Sequence, residues 1–165
     1  MLQEINNQLA ELKERKQIKI LFAVESGSRA WGFPSPDSDY DIRIIYMHEP
    51  DWYLSINDKK DTIDYFHGEL LDVNGWDIRK TLRLLRKSNA TPFEWAQSPI
   101  IYEEEGNFRS NLLDLAKQFF QPRHNVNHYK GIAKNNYLSK TESKDIKLKK
   151  LFYVIRPIFG GSLDS

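Results

Sequence analysis

The chain has 165 residues, 40% hydrophobic and 13% aromatic. That is enough apolar material for a packed core; it excludes a disordered polypeptide and allows one domain with at most a small helical appendage. Lys and Arg number 24 against 23 Asp and Glu, a net charge of +1 with no cysteine, so attraction for nucleic acid needs a local basic patch, and disulfides, thiolate metal sites and a cysteine nucleophile are excluded.

In chain order, residues 1–7 lack the basic and apolar regions of a secretory signal, and no apolar run is long enough to span a bilayer; the expectation is a cytoplasmic chain with no membrane partner. Leu2, Ile5, Leu9 and Leu12 recur at helical spacing and predict an amphipathic helix over 2–16. Residues 18–24 read as a largely buried strand that breaks at Gly27 and Ser28 into a turn with one helical turn. Pro34, Pro36, Asp37 and Ser38 mark a loop, and residues 40–46 alternate as a second strand. Residues 63–73 predict one strand or a hairpin, Gly75 precedes a helix from Trp76 to Lys87, and helical patterns follow over 92–97, 107–120, 125–139 and 143–159. The layout is α+β, with a core over 1–105 and a helical C-terminal region over 106–165.

The chemistry concentrates between residues 27 and 72. Asp39 and Asp41 are two apart at the start of a strand, so both carboxylates point to one face and can share a cation. Hard carboxylate oxygens suit Mg²⁺ or Mn²⁺, which also takes substrate phosphates and waters. Gly27 lets a phosphate approach the backbone closely, and Ser28 adds a hydroxyl beside it. A third carboxylate on a neighbouring strand would serve two-metal phosphoryl transfer and accept a proton from an attacking hydroxyl. Alone, Asp-x-Asp is often a solvated loop and Gly-Ser often a turn; their conjunction, with a later strand ending in Asp, carries the reading. The four histidines show no paired ligand spacing, and the scattered tryptophans read as core.

The words Gly27-Ser28-Arg29-Ala30-Trp31-Gly32-Phe33 and Ser35-Pro36-Asp37-Ser38-Asp39-Tyr40-Asp41-Ile42-Arg43 resemble the signature of the polymerase-β-like nucleotidyltransferases, most closely a bacterial branch linked to RNA repair. Gly75-Trp76-Asp77-Ile78-Arg79, Lys87-Ser88-Asn89, Glu94-Trp95 and Ser98-Pro99-Ile100-Ile101-Tyr102 extend the resemblance over most of the chain. It implies a mixed β-sheet with flanking helices, an NTP donor, a divalent metal and transfer of a nucleotidyl group to a hydroxyl acceptor, an RNA end among the options. Gly27 and Ser28 match the triphosphate turn, and Asp39 and Asp41 match the metal carboxylates. For the third carboxylate, Asp72, on the strand reading, competes with Asp77, which also suits the start of a helix. Arg29, Lys134 and Lys150 stand as further nucleotide-contacting candidates, each with a solvated or ion-paired alternative. The basic cluster from Lys144 to Arg156 is a candidate RNA contact. The C-terminal region reads as shorter than is usual for the branch; the apolar residues Leu151, Val154 and Ile158 then predict a homo-oligomer through these helices. A non-catalytic nucleotide-binding or protein-interaction module is the alternative to an enzyme.

Overall fold

Ile5, Leu9 and Leu12 all lie on the buried side of helix α1, Leu2–Lys16, as their spacing requires. The helix ends where Gln17 takes a left-handed conformation (φ 51°) and returns its backbone N–H to Glu14 and Lys13. In this computed structural model the described residues are 1–30, 32, 38–67 and 71–119. The helices expected at 125–139 and 143–159, Lys134, Lys150, the 144–156 cluster and the anticipated subunit contact lie outside them, as do Trp31 and Asp37.

Strands β1 (Ile18–Glu25), β2 (Tyr40–His48), β3 (Thr62–His67), β4 (Leu71–Asp77) and β5 (Ile101–Glu104) form one mixed sheet in the order β3-β4-β2-β1-β5. Only β2 and β4 run parallel; the other three pairings are antiparallel. The α+β class and mixed sheet expected from the sequence are therefore present. Residues 63–73 resolve into the hairpin alternative, β3 pairing β4.

Two cores form because strand side chains alternate between faces. One face carries Ile42, Ile44, Tyr46 and Val73 against α1; the other carries Phe22, Val24 and Ile45 against the helices that follow. β1 keeps to this scheme only through a bulge: between Ile20 and Phe22 it advances two residues while β2 advances one. The extra residue changes the parity of the rest of β1, so Ala23 faces α1 while Phe22 and Val24 face the other core.

After α2 (Pro50–Tyr53) and β3, helices α3 (Ile78–Arg86), α4 (Ala90–Ala96) and α5 (Phe108–Phe119) cover the second face. Asp77 caps α3, accepting from Arg79 N at 2.8 Å, and Asn89 caps α4, accepting from Thr91 N at 2.9 Å. Trp76 and Trp95 meet with ring centroids 4.3 Å apart. Residues Met1–Phe119 form one compact unit, so α5 packs with the sheet through Leu112 and Ala116.

Two expectations shift. The helix expected from Trp76 starts at Ile78, because Gly75, Trp76 and Asp77 are held in the parallel ladder opposite Ile44, Ile45 and Tyr46. β5 was not expected at all. Gly75 sits in β4 because a Cβ there would stand 2.6 Å from Ile44 Cγ1 and 3.2 Å from Tyr46 Cδ1. Gly75→Ala is expected to overpack this core and cost about 1–3 kcal/mol, measured as a lower urea midpoint at unchanged slope.

Candidate active site

At one end of the sheet three chain segments converge. β1 ends at Glu25, residues 26–30 turn, with Ala30 N donating to Gly27 O at 3.1 Å, and β2 begins at Tyr40. Ser26 N donates to Asp41 O at 2.8 Å, tying the turn to β2. The parallel register then sets Asp41 directly opposite Asp72. Parallel partners project to the same side, so both carboxylates leave the sheet face that carries Ile45 and Trp76 two rows further along.

Arg43, two residues after Asp41, joins them. Its Nη2 donates to Asp41 Oδ1 at 3.2 Å and to Asp72 Oδ2 at 3.0 Å, while Nη1 donates to Ile42 O at 3.0 Å and Asp72 O at 3.4 Å. The Arg43 side chain is 19% exposed, against 31% for Asp41 and 29% for Asp72. Gly27 lies against the other oxygen of Asp41: a Cβ added to Gly27 would fall inside the Asp41 carboxylate. This close approach is what requires glycine there.

Beneath this face is a residue that sequence reasoning did not single out. Glu25 is fully buried; its Oε1 accepts from Asp41 N at 2.9 Å and Gly27 N at 3.3 Å, and its Oε2 accepts from Tyr102 OH at 2.6 Å. Ser98 Oγ donates to the Glu25 carbonyl at 2.5 Å, and Glu25 N donates to Ile100 O at 3.0 Å. One carboxylate thus fastens the turn, the start of β2 and β5 together. The signal available in the sequence was a charge closing the apolar run from Ile20 to Val24, two residues before Gly27.

The remaining expected residues fall as follows. Ser28 is buried, its hydroxyl 3.2 Å from that of Ser38. Arg29 donates to Ser38 O at 2.7 Å and Asp39 O at 3.3 Å and lies 3.9 Å over the Tyr40 ring, so its guanidinium is engaged with the approach to β2. Asp39 is exposed just before β2, near enough to Asp41 for its charge to be felt there. Asp77 stands at the opposite end of β4, roughly 17 Å of strand from Asp72, with its carboxylate occupied by Arg79 N and by Tyr53 OH at 2.7 Å. Of the two competitors for the third carboxylate, the register brings Asp72 to Asp41 and leaves Asp77 as a helix cap. Burial and the bond to Asp77 push the Tyr53 phenol up to about 12.

Burial raises the Asp41 carboxyl above its ordinary value; Arg43 opposes this, and the charges of Glu25, Asp72 and Asp39 add to it. Among the described residues no three carboxylate or imidazole groups gather closely enough to hold a metal by themselves. Mg²⁺ uses one or two carboxylates together with phosphates and water, and the Asp41–Asp72 pair, with Asp39 beside it, supplies that donor chemistry. No helix among the described residues is long and apolar enough to cross a membrane.

A family model described as the RNA repair pathway DNA polymerase beta family matches residues 1–162. The chain belongs to this family. Its membership agrees with the polymerase-β-like resemblance of the Gly27–Arg43 segment. A relative from Bacillus subtilis (strain 168) named "Uncharacterized protein YcgL" is 45% identical over 158 residues, which are 96% of this chain and 61% of YcgL. The chain therefore spans about three-fifths of the length of this curated relative.

Two predictions follow from the site's electrostatics. Tyr102→Phe leaves one oxygen of a buried carboxylate without its donor and is expected to cost about 1–3 kcal/mol in chemical denaturation. Because folding raises the Asp41 carboxyl, ionising it costs stability as pH rises through the folded value. Asp41→Asn is therefore expected to melt higher than the parent at neutral pH without metal, the gain vanishing below the ordinary carboxylate range, where Asp41 is protonated in both states; melting curves from pH 3 to 7 test this.

Proposed function

We propose that this chain is a metal-dependent nucleotidyltransferase that moves a nucleoside monophosphate from an NTP to a hydroxyl acceptor, with an RNA end as the first acceptor to try. The observation that carries the reading is the pairing of Asp41 with Asp72 across adjacent parallel strands, beside a glycine turn whose backbone touches the Asp41 carboxylate. Family membership supports the same chemistry.

In this reading Gly27 and Ser28 receive the donor phosphates, and Asp39, Asp41 and Asp72 hold Mg²⁺ or Mn²⁺. The bound metal supplies neutralisation of the phosphates and of the charge that develops during transfer. Asp72 accepts the proton of the acceptor hydroxyl; the acceptor oxygen bonds to the α-phosphorus as the bond from that phosphorus to the bridging oxygen breaks, and pyrophosphate leaves. Lys134 and Lys150 are carried in this reading as further nucleotide-binding candidates from the sequence. Ile45, two rows along the same face from Asp41, is fully buried.

A second reading, a nucleotide-binding module without turnover, draws on the Arg43 bridge, which occupies one oxygen of each carboxylate and offsets one of their two charges. The two separate in a pyrophosphate-release assay with each NTP, Mg²⁺ or Mn²⁺, and RNA with a free 3′ hydroxyl. The enzyme reading expects release that falls at least about 100-fold in Asp41→Ala. A metal-dependent rise in melting midpoint with an NTP, lost in Asp39→Ala/Asp41→Ala but without any release, would establish the module instead.

A further inference from the structure

The Arg43 bridge has a consequence for how the site loads. One guanidinium nitrogen is shared between the two carboxylates, and the group is the least exposed of the three. It has nowhere simple to go. Nη1 is bonded to Ile42 O and Asp72 O, and the next row along the face is apolar, Ile45 beside Trp76. A divalent cation arriving from solvent thus meets a pair of carboxylates of which one charge is already offset by the guanidinium, and it must sit beside that positive charge.

The Asp41 oxygen that Arg43 does not hold is the one lying against Gly27. A cation taking that oxygen is at the turn where the phosphates of a donor would lie. A triphosphate brings the negative charge that offsets both the cation and the guanidinium.

We propose that Arg43 is a resident counter-cation that makes metal binding at Asp41 and Asp72 depend on the nucleotide: the metal alone binds weakly, and metal and triphosphate load together. This rests on the reading of Asp41 and Asp72 as cation ligands, and it concerns equilibrium binding, not the rate of the chemical step. Removing the positive charge strengthens binding of the metal on its own, and by linkage metal and triphosphate raise each other's affinity by the same factor.

The test is Mn²⁺ binding without nucleotide, read from the free-ion electron paramagnetic resonance signal, on the 165-residue chain, Arg43→Gln, Arg43→Lys and Arg43→Gln/Asp41→Asn. Arg43→Gln is expected to bind Mn²⁺ about tenfold more tightly than the parent, Arg43→Lys to stay close to the parent because it keeps the charge, and the double variant to lose the gain. Equal or weaker binding in Arg43→Gln overturns the proposal. A gain that survives Asp41→Asn places the ion elsewhere and overturns the cation reading of the carboxylates as well. The parent chain gives an arm that needs no variant to fold: the rise in melting midpoint caused by Mn²⁺ should be larger with a non-hydrolysable NTP analogue bound than without it. Equal rises in the two conditions overturn the coupling while leaving the nucleotide site intact, whereas no rise with analogue and Mn²⁺ together overturns the proposed function itself.

Discussion

The parallel pairing of β2 with β4 is the constraint on which the site depends. A register of seven residue pairs places Asp41 beside Asp72, Arg43 beside Asn74 and Ile45 beside Trp76. Since side chains repeat every second residue, these rows lie on one face in that order: acid, base, apolar core. A slip of one residue would send Asp72 to the face that packs on α1. Trp76, anchored on Trp95, and Gly75, fitted against Ile44 and Tyr46, resist that slip from either side of the sheet.

Beneath the paired acids lies a second, buried one. Glu25 has three donors and no cation among its hydrogen-bond partners in the described residues. A carboxylate in that setting is held by dipoles alone, and its charge works against ionisation of Asp41 nearby. The turn, β2 and β5 are held in place by a group whose charge adds to those of Asp72 and Asp39 in disfavouring ionisation of Asp41.

Much of the fold could be read from residue order because local pattern and final environment agree. α1 and β2 show the periodicities of their buried faces, and α4 and α5 follow helical patterning. β5 escaped because four residues with exposed ends carry no clear alternation, and the strand exists through pairing with distant β1. Trp76 and Asp77 read as helix because Gly75 resembles a break, whereas the ladder to β2 overrides that local signal. For the site, Gly27, Asp39, Asp41 and Asp72 were legible as a spacing. Glu25 and Arg43 were not, since a glutamate ending a strand and an arginine on a polar face look ordinary until the partners from β4 and β5 are beside them. The choice between Asp72 and Asp77 likewise needed the register and the Arg79 and Tyr53 bonds.

The position of the bridging segment between the two acidic strands separates what can change from what cannot. β2 leaves the sheet at His48, and α2 with residues 54–61 lies beyond that end, before β3 returns beside β4 with Thr62 opposite Trp76. Asp41 and Asp72 are at the other end, and their spacing is set by strand pairing. Residues 54–61 include Leu54, 77% exposed, and Ile56, fully exposed. Insertions, deletions or surface drift there would be felt at His48 and Asp77 and not at the carboxylates. The sheet therefore works as a ruler whose far end can change its outer surface without recalibrating the spacing of Asp41 and Asp72.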